Sequence, residues 1–320
     1  MSYFSAHNHT DYSNLRLLDS TNKVKDLIDK AVELGLSGLA ITDHEVLSSH
    51  VKVDKYRQEL LDKGVVDDDF TIAFGDEIYL VESLEKNQQY YHYILIAKDK
   101  KGYEQLKKIS SQAWKNSYYD RGLERVPITY KQIKDIIGED KGHLIGSTAC
   151  LGGYLPNTLL KMYKGQIKPK EAQNKVSNFI DWNINLLGKD NFFFELQAGN
   201  TEEQSEVNKM IYQIGKSRGI TNIITTDSHY LSKEDRDIHR AFLHSQEGDR
   251  EVDSFYKFTY MMSESEIKDY MKNDFSEEDI DKMLENTNII ANKCNNIDLF
   301  QDVDITKIDV DNFKFKPEFK

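Results

Sequence analysis

The sequence predicts an α/β protein whose strands form a barrel with helices outside it. Three observations carry this. Compact apolar runs alternate with stretches of helical periodicity along most of the chain. About seven such runs can be counted. Several of them end in His, Asp or Glu, as expected where the C-terminal strand ends of a parallel sheet gather on one face. The alternation alone fits a barrel or an open doubly wound sheet. The strand count favours the barrel.

Taken in order, Tyr3–His9 reads as a short strand. Val24, Leu27, Ile28, Ala31 and Val32 follow at helical spacing, and Gly35 stands where that helix should stop. Gly38–Thr42 is a continuous apolar run of the buried parallel type. A helix is expected over Ser48–Lys63, strands over Phe70–Val81 and Tyr90–Lys98, and a helix over Tyr103–Trp114. After a polar stretch at Asp120–Val126 the pattern resumes. His143–Ala149 reads as a strand, Leu155–Tyr163 and Pro169–Leu187 as helices, and Asn191–Gln197 as a strand rich in aromatics. Thr201–Arg218 is a further helix and Ile220–Thr226 the last strand.

The texture changes near Val252. Ser263 and Glu266 form a capping-box pattern ahead of a helix. Asp279–Cys294 carries Ile280, Met283, Leu284, Ile290 and Ala291 on one helical face, and Asn295–Lys320 reads as a strand-poor tail. The expected division is a barrel over residues 1–250 and a helical extension over 251–320.

Composition narrows the function. The chain has 320 residues, 39% of them apolar and 30% charged, an ordinary globular balance. No run approaches the roughly 18 apolar residues of a membrane span, and Met1–Asn8 lacks the pattern of a secretory signal. Cys150 and Cys294 are the only cysteines, too few for a disulfide framework, so a reducing cytoplasmic setting is expected. A net charge of −12 argues against a broadly basic surface for gripping duplex DNA. An anionic substrate would then need local help, and metal ions are one source.

The histidines give that idea a place. His7 and His9 end the first strand at alternate positions, so both can reach one ion. Asp43 and His44 end another strand, and Asp227 and His229 end the last. Glu77, His92 and Cys150 fit the same scheme. The set mixes imidazole, carboxylate and thiolate, which suits zinc, manganese or iron. His50, His143, His239 and His244 have no such placement and read as surface residues, structural residues or residues that support the ligands from behind.

These motifs carry a resemblance. The order His-x-His, Thr-Asp-His, Gly-x-Glu-x-Tyr, His before Ile94-Leu95-Ile96-Ala97-Lys98, Ala-Cys-Leu-Gly-Gly and Thr-x-Asp-x-His-Tyr is similar to the PHP (polymerase and histidinol phosphatase) superfamily. More narrowly, it resembles the PHP domain of the bacterial DNA polymerase III alpha subunit. Ile96-Ala97-Lys98-Asp99 with Gly102-Tyr103, Glu195-Leu196-Gln197, and Glu285–Ala291 with Cys294 are of the polymerase kind. The likeness runs to about residue 300.

The resemblance implies a distorted seven-stranded β/α barrel with a helical C-terminal extension and up to three divalent ions. Its ligand positions fall on His7, His9, Asp19, His44, Glu77, His92, Cys150, Asp227 and His229. The third departs from the pattern. Asn14-Leu15-Arg16-Leu17 lengthens its loop and Ser20 replaces a glycine, so Asp11 competes with Asp19. Reacting roles are expected of Asp43, His44, Asp227 and His229, with Asp43 orienting His44 or a bound water.

The implied activity is metal-dependent 3′–5′ exonuclease or related phosphoesterase chemistry at a single-stranded DNA 3′ end. Lysines at 98–101, 107–108 and 161–175 are candidate backbone contacts. The palm carboxylates of such polymerases lie downstream of the PHP barrel, so polymerisation is not expected in these residues. A separate palm-and-fingers chain or another replisome subunit would be the partner, with residues 252–320 the contact. The alternatives are a stand-alone phosphatase of the histidinol phosphate type and a non-catalytic, metal-stabilised scaffold for a polymerase.

Overall fold

The structure, a computed structural model, describes residues 2–120, 122–245, 256–294 and 296–300. Its strands are β1 (Phe4–Ser5), β2 (Gly38–Ile41), β3 (Thr71–Val81), β4 (Tyr91–Ala97), β5 (Tyr118–Asp120), β6 (Leu123–Arg125), β7 (Pro127–Thr129), β8 (Leu144–Ser147), β9 (Phe192–Gln197) and β10 (Thr221–Thr225). Seven of them form a path in the order β1-β2-β3-β4-β8-β9-β10. A parallel bridge between Asn8 and Ser228 joins the two ends, so the sheet curls into a nearly closed α/β barrel. Strand β7 pairs along the end of β3, and β5 and β6 form a separate hairpin within the stretch that read as merely polar.

One strand runs against the rest. β4 is antiparallel to both β3 and β8, whereas the other pairs along the path are parallel. This reversal is the distortion of the barrel, and it decides where His92 goes. His92 lies at the start of β4. Because β4 is reversed, its start stands beside the ends of its neighbours.

The helices are α1 (Val24–Glu33), α2 (His50–Asp62), α3 (Lys100–Lys115), α4 (Tyr130–Ile137), α5 (Tyr154–Tyr163), α6 (Pro169–Leu187), α7 (Glu202–Arg218), α8 (Arg236–His244), α9 (Glu264–Met271) and α10 (Glu277–Lys293). Helix α1 stops at Gly35, whose φ of 66° is one that glycine takes without strain. The Ser263–Glu266 capping box forms as expected. A second one, Thr129 with Gln132, starts α4.

The core has two layers. Outside the barrel, Leu27, Leu39, Leu80, Leu106, Phe194 and Ile211 are among the residues packed between strands and helices. Inside it, Phe4, Ala40, Ile94, Ile145, Phe193 and Ile223 fill the interior, and Ile290, Ala291 and Cys294 join them. Helix α10 therefore plugs the bottom of the barrel. Its Thr287 Oγ1 accepts the Phe4 N–H at 2.9 Å, and the Tyr3 hydroxyl donates to Met262 O at 2.6 Å. Of the proposed extension, residues 256–294 pack on the barrel. Residues 251–255, 295 and 301–320 lie outside the described residues.

Candidate metal centre

The top of the barrel is built by strands running past their ladders. Regular pairing of β1 ends at Ser5, and the chain then shifts phase, so that His7 and His9 reach the interior after Phe4 and Ala6. Asn8 points the other way and ties this segment to its neighbour through Nδ2 to Ala40 O at 2.9 Å. His44 bridges to Glu77 beyond β2, and His92 bridges to Gly153 beyond β8. Glu45, Ala149 and Asp227 have φ of 57°, 57° and 48°. Three of these strand ends thus turn through left-handed residues beside the cluster, which costs backbone strain.

Three overlapping groups of side chains result. They are His7, His9, Glu77 and Asp227; His9, His44 and His229; and Glu77, His92 and Cys150. Within each, one ligand-type atom per residue lies within 4.8 Å of the others. In the first, His7 Nε2 is 2.8 Å from Glu77 Oε2, 3.1 Å from Asp227 Oδ1 and 3.1 Å from His9 Nε2. In the third, Glu77 Oε1 is 2.6 Å from His92 Nδ1, and Cys150 Sγ is 3.4 Å from the same nitrogen. Asp19 joins the second, its Oδ2 2.9 Å from His44 Nε2 and 3.5 Å from His229 Nε2. The competing Asp11 turns away to an ion pair with Lys23 at 2.8 Å.

These atoms fit a cation better than they fit one another. Two ligands on one zinc-like ion at about 2.1 Å stand about 3 to 3.5 Å apart, the spacing found here. Asp19 Oδ1 is buried and accepts no hydrogen bond, and Glu77 Oε1 and Asp227 Oδ1 are buried with imidazole nitrogens at 2.6 to 3.2 Å but no well-aligned hydrogen bond. Buried carboxylate oxygens without donors are costly unless a cation serves them.

The outer nitrogens are arranged to match. His7 Nδ1–H donates to Glu195 Oε1 at 2.6 Å, His9 Nδ1–H to Ser13 Oγ at 3.2 Å, and His229 Nδ1–H to Asp227 O at 2.7 Å. Each leaves Nε2 with its lone pair towards the centre, the usual arrangement of a ligating histidine.

Without a cation the groups lean on each other electrostatically. Burial acts to raise the Asp19 and Glu77 carboxyls. Neighbouring imidazoles overcome it, holding Asp19 (by His44 and His229) and Glu77 (by His92 and His44) well below the usual range. Burial acts to lower His44, but Asp19 and Glu77 carry it up to about 10. Burial, His44 and His229 keep His9 low and neutral. Burial, with Asp227 and Glu77, pushes the Cys150 thiol well up, so it remains a thiol unless a cation claims it.

Asp43 stands apart from the converging atoms. Its carboxylate accepts Thr10 N–H at 2.6 Å, Ser13 Oγ–H at 2.8 Å and Ser49 Oγ–H at 2.5 Å. It reaches the cluster through Ser13 to His9, rather than by touching the His44 ring. The lysines expected near the substrate also divide. Lys98 ends the reversed strand and so lies at the opposite end of the barrel, bonded to Gly142 O at 2.8 Å. Lys161 sits 5.9 Å over the Tyr91 ring, on the side where β4 begins.

Several residues were not singled out for the centre from sequence. Glu195 appeared only as part of a family motif. His239 Nε2–H donates to Asp19 O at 2.6 Å, and the Tyr256 hydroxyl donates to Asp19 Oδ2 at 3.1 Å. Both residues come from beyond the last barrel strand, so those later segments help to hold a ligand loop.

Fold and site together define a β/α barrel with a buried cluster at its rim whose side chains could bind metal. The chain belongs to the PHP domain family, which residues 5–199 match. It is 42% identical over 98% of its length to the probable DNA polymerase YorL of Bacillus subtilis and, equally, to the DNA-directed DNA polymerase of Bacillus phage SPbeta. The DNA polymerase III subunit alpha of Borreliella burgdorferi is 28% identical over 91% of the chain. The chain spans about a quarter of the length of these curated relatives, 25%, 25% and 24% respectively. Among the described residues, no helix is long and apolar enough to cross a membrane.

Proposed function

We propose that the chain is a metal-dependent phosphoesterase, a 3′–5′ exonuclease acting on single-stranded DNA as part of a DNA polymerase III alpha-like replication protein. The observation that carries the reading is the overlap of three ligand groups through His9 and Glu77 in one buried cluster. Bound divalent ions, such as zinc, manganese or iron, supply positive charge that polarises phosphoryl oxygens, acidifies water and stabilises the leaving oxygen.

The chain's own part is to hold and orient. His7, His9, Asp19, His44, Glu77, His92, Cys150, Asp227 and His229 are the proposed ligands. Glu77 presents Oε2 to one group and Oε1 to another, which fixes their separation. The reacting roles fall in this reading to His44, Asp227 and His229, and Asp43 braces His9 through Ser13. The relatives are DNA polymerases by name, which supports DNA as substrate, replisome partners and a cytoplasmic setting. The same likeness weighs against a small-molecule phosphatase.

One observation favours a second reading. Every ligand in the three groups is buried except His92, whose side chain is 22% exposed. A closed centre of that kind also suits a metal-stabilised scaffold for a polymerase. The deciding experiment is a labelled single-stranded DNA assay with manganese or zinc, an EDTA control and the variant Asp227→Asn. Asparagine tolerates the φ of 48° at this position better than alanine would. A single-nucleotide ladder, lost with EDTA and in the variant, supports the exonuclease. Tight metal binding with no ladder supports the scaffold.

A further inference from the structure

We propose that Arg16 is the anion-recognising side chain of this centre and that its ligand is a phosphoryl group. The inference rests on the phosphoester reading above and adds to it the residue that would grip the substrate's phosphate.

Arg16 lies in the loop between two proposed ligands, His9 and Asp19, just after the short turn Ser13–Leu15. This is the loop that Asn14-Leu15-Arg16-Leu17 lengthens. It is pinned rather than loose. Asn14 Oδ1 accepts Asp19 N–H at 2.9 Å and Ser20 N–H at 3.0 Å, and Asn14 Nδ2–H donates to Ser20 O at 2.7 Å. The pinned loop tucks Arg16 inward until only 7% of it is exposed.

Two of the three nitrogens of the guanidinium so placed are unserved. Its Nε and Nη1 have no hydrogen-bond partner. It forms no ion pair with any carboxylate among the described residues. It lies instead 4.6 Å over the Tyr79 ring. Tyr79 borders the centre directly, with its hydroxyl 3.4 Å from His44 Nδ1 and its ring 4.8 Å from that of His92. One aromatic ring thus separates a fixed positive charge from two proposed metal ligands.

An arginine cannot shed its proton to ease burial. A guanidinium desolvated to this degree with open donors calls for an acceptor, and Nε or Nη1 together with Nη2 makes a planar fork that matches two oxygens of a phosphate. The face of Tyr79 contributes a cation–π contact that holds the fork in place. The competing partner inside the protein is Glu45. One of its oxygens takes the Tyr79 N–H, and Oε2 has no partner. A rotamer change pairing Arg16 with Glu45 would make the arginine structural, so the test includes that residue.

The test uses the full chain loaded with manganese and titrated with inorganic phosphate by calorimetry. Arg16→Gln, Arg16→Lys and Glu45→Gln are run alongside, each with its metal content and melting temperature measured. The expected result is phosphate binding by the wild type and by Glu45→Gln. Binding should weaken at least tenfold in Arg16→Gln and less in Arg16→Lys, which keeps the charge without the fork, at unchanged metal content. Arg16→Lys also serves if Arg16→Gln fails to fold. Three results overturn the proposal: no phosphate binding by the loaded wild type, wild-type affinity in both Arg16 variants, or equal loss of affinity and melting temperature in Glu45→Gln. The DNA assay is scored separately. Arg16-dependent phosphate binding with no DNA ladder keeps this inference and removes the exonuclease. A ladder with phosphate binding indifferent to Arg16 does the reverse.

Discussion

Glu195 holds His7 by an Nδ1–H to Oε1 hydrogen bond of 2.6 Å, deep in the barrel, where neither side chain is more than 1% exposed. The same carboxylate accepts Thr225 Oγ–H at 2.7 Å on Oε1 and Ser147 Oγ–H on Oε2. Three neighbouring strands thus converge on one carboxylate, and that carboxylate fixes the tautomer and tilt of one imidazole. Glu195→Ala should lower metal affinity about 10- to 100-fold, the usual effect of losing such an outer partner. It should also cost about 1 to 3 kcal/mol, because buried donors are left unpaired. Titrating the metal-free variant with zinc, next to a urea denaturation curve, checks both. Wild-type zinc affinity would show that His7 needs no support from Glu195.

Metal loading should stabilise the fold. Buried carboxylate oxygens with no well-aligned hydrogen bond and imidazoles crowded at ring distances of 4.1 to 4.4 Å are brought together by folding and would be relieved by cations. An ion at about a hundred times its dissociation constant adds about 2.7 kcal/mol to a protein that binds it only when folded. The melting temperature should therefore rise when EDTA-treated protein is reloaded. Asp227→Asn should rise less, since Asp227 Oδ1 lies within 3.2 Å of both His7 and His9. Identical melting curves with and without metal would count against a metal centre of any kind.

Much of the barrel was legible because buried strands leave a mark that pairing direction does not. Gly38–Ile41, Leu144–Ser147 and Thr221–Thr225 stand out as apolar runs, and each formed a strand. Nothing in Tyr91–Ala97 tells that it runs backwards, since side-chain alternation is the same in both directions. His92 was placed at the centre by its motif, while the reversal that brings it there emerged only from the sheet. Helix α4 does not stand out by periodicity, because its 8 residues bury only Ile133 and Ile137, although its capping box, Thr129 with Gln132, is written in the sequence. Glu195 was hidden among aromatics. A single acid inside an apolar strand is the signal that marks it.

Helix α10 should be required for the barrel rather than appended to it. Ile290 is fully buried and shares the interior with Phe4, Ile94 and Ile223. Ile290→Ala leaves a cavity at the barrel floor and should cost about 2 to 5 kcal/mol. The proposed ligands stand at the opposite end, so metal content per folded molecule should stay that of the wild type. Urea unfolding paired with metal analysis tests this. A loss under 1 kcal/mol would mean that the plug contributes little to the barrel.

His50 should make the protein acid-sensitive in a window of its own. Its ring packs against Phe74 at 4.8 Å and Tyr103 at 5.7 Å, with Nδ1 3.3 Å from the Tyr103 hydroxyl. Burial pushes the imidazole down to about 4, with Asp43 opposing in part. In the unfolded chain a histidine titrates near 6.5. The folded value is the lower one, so the unfolded state binds more protons between the two. Stability is therefore complete above about pH 6.5 and is lost as the pH falls towards 4. At pH 4.5 the loss from this residue is about 2 to 3 kcal/mol. Other carboxylates and imidazoles titrate over the same range, so the measurement is a difference. Urea unfolding at pH 7.5 and 4.5 is compared for the wild type and His50→Gln, which keeps a polar group of similar length without the titration. The variant should be less stable at pH 7.5 because the ring packing is lost. It should then lose about 2 to 3 kcal/mol less than the wild type on acidification. Equal losses would place the acid sensitivity elsewhere, with the carboxylates of the metal centre the next groups to test.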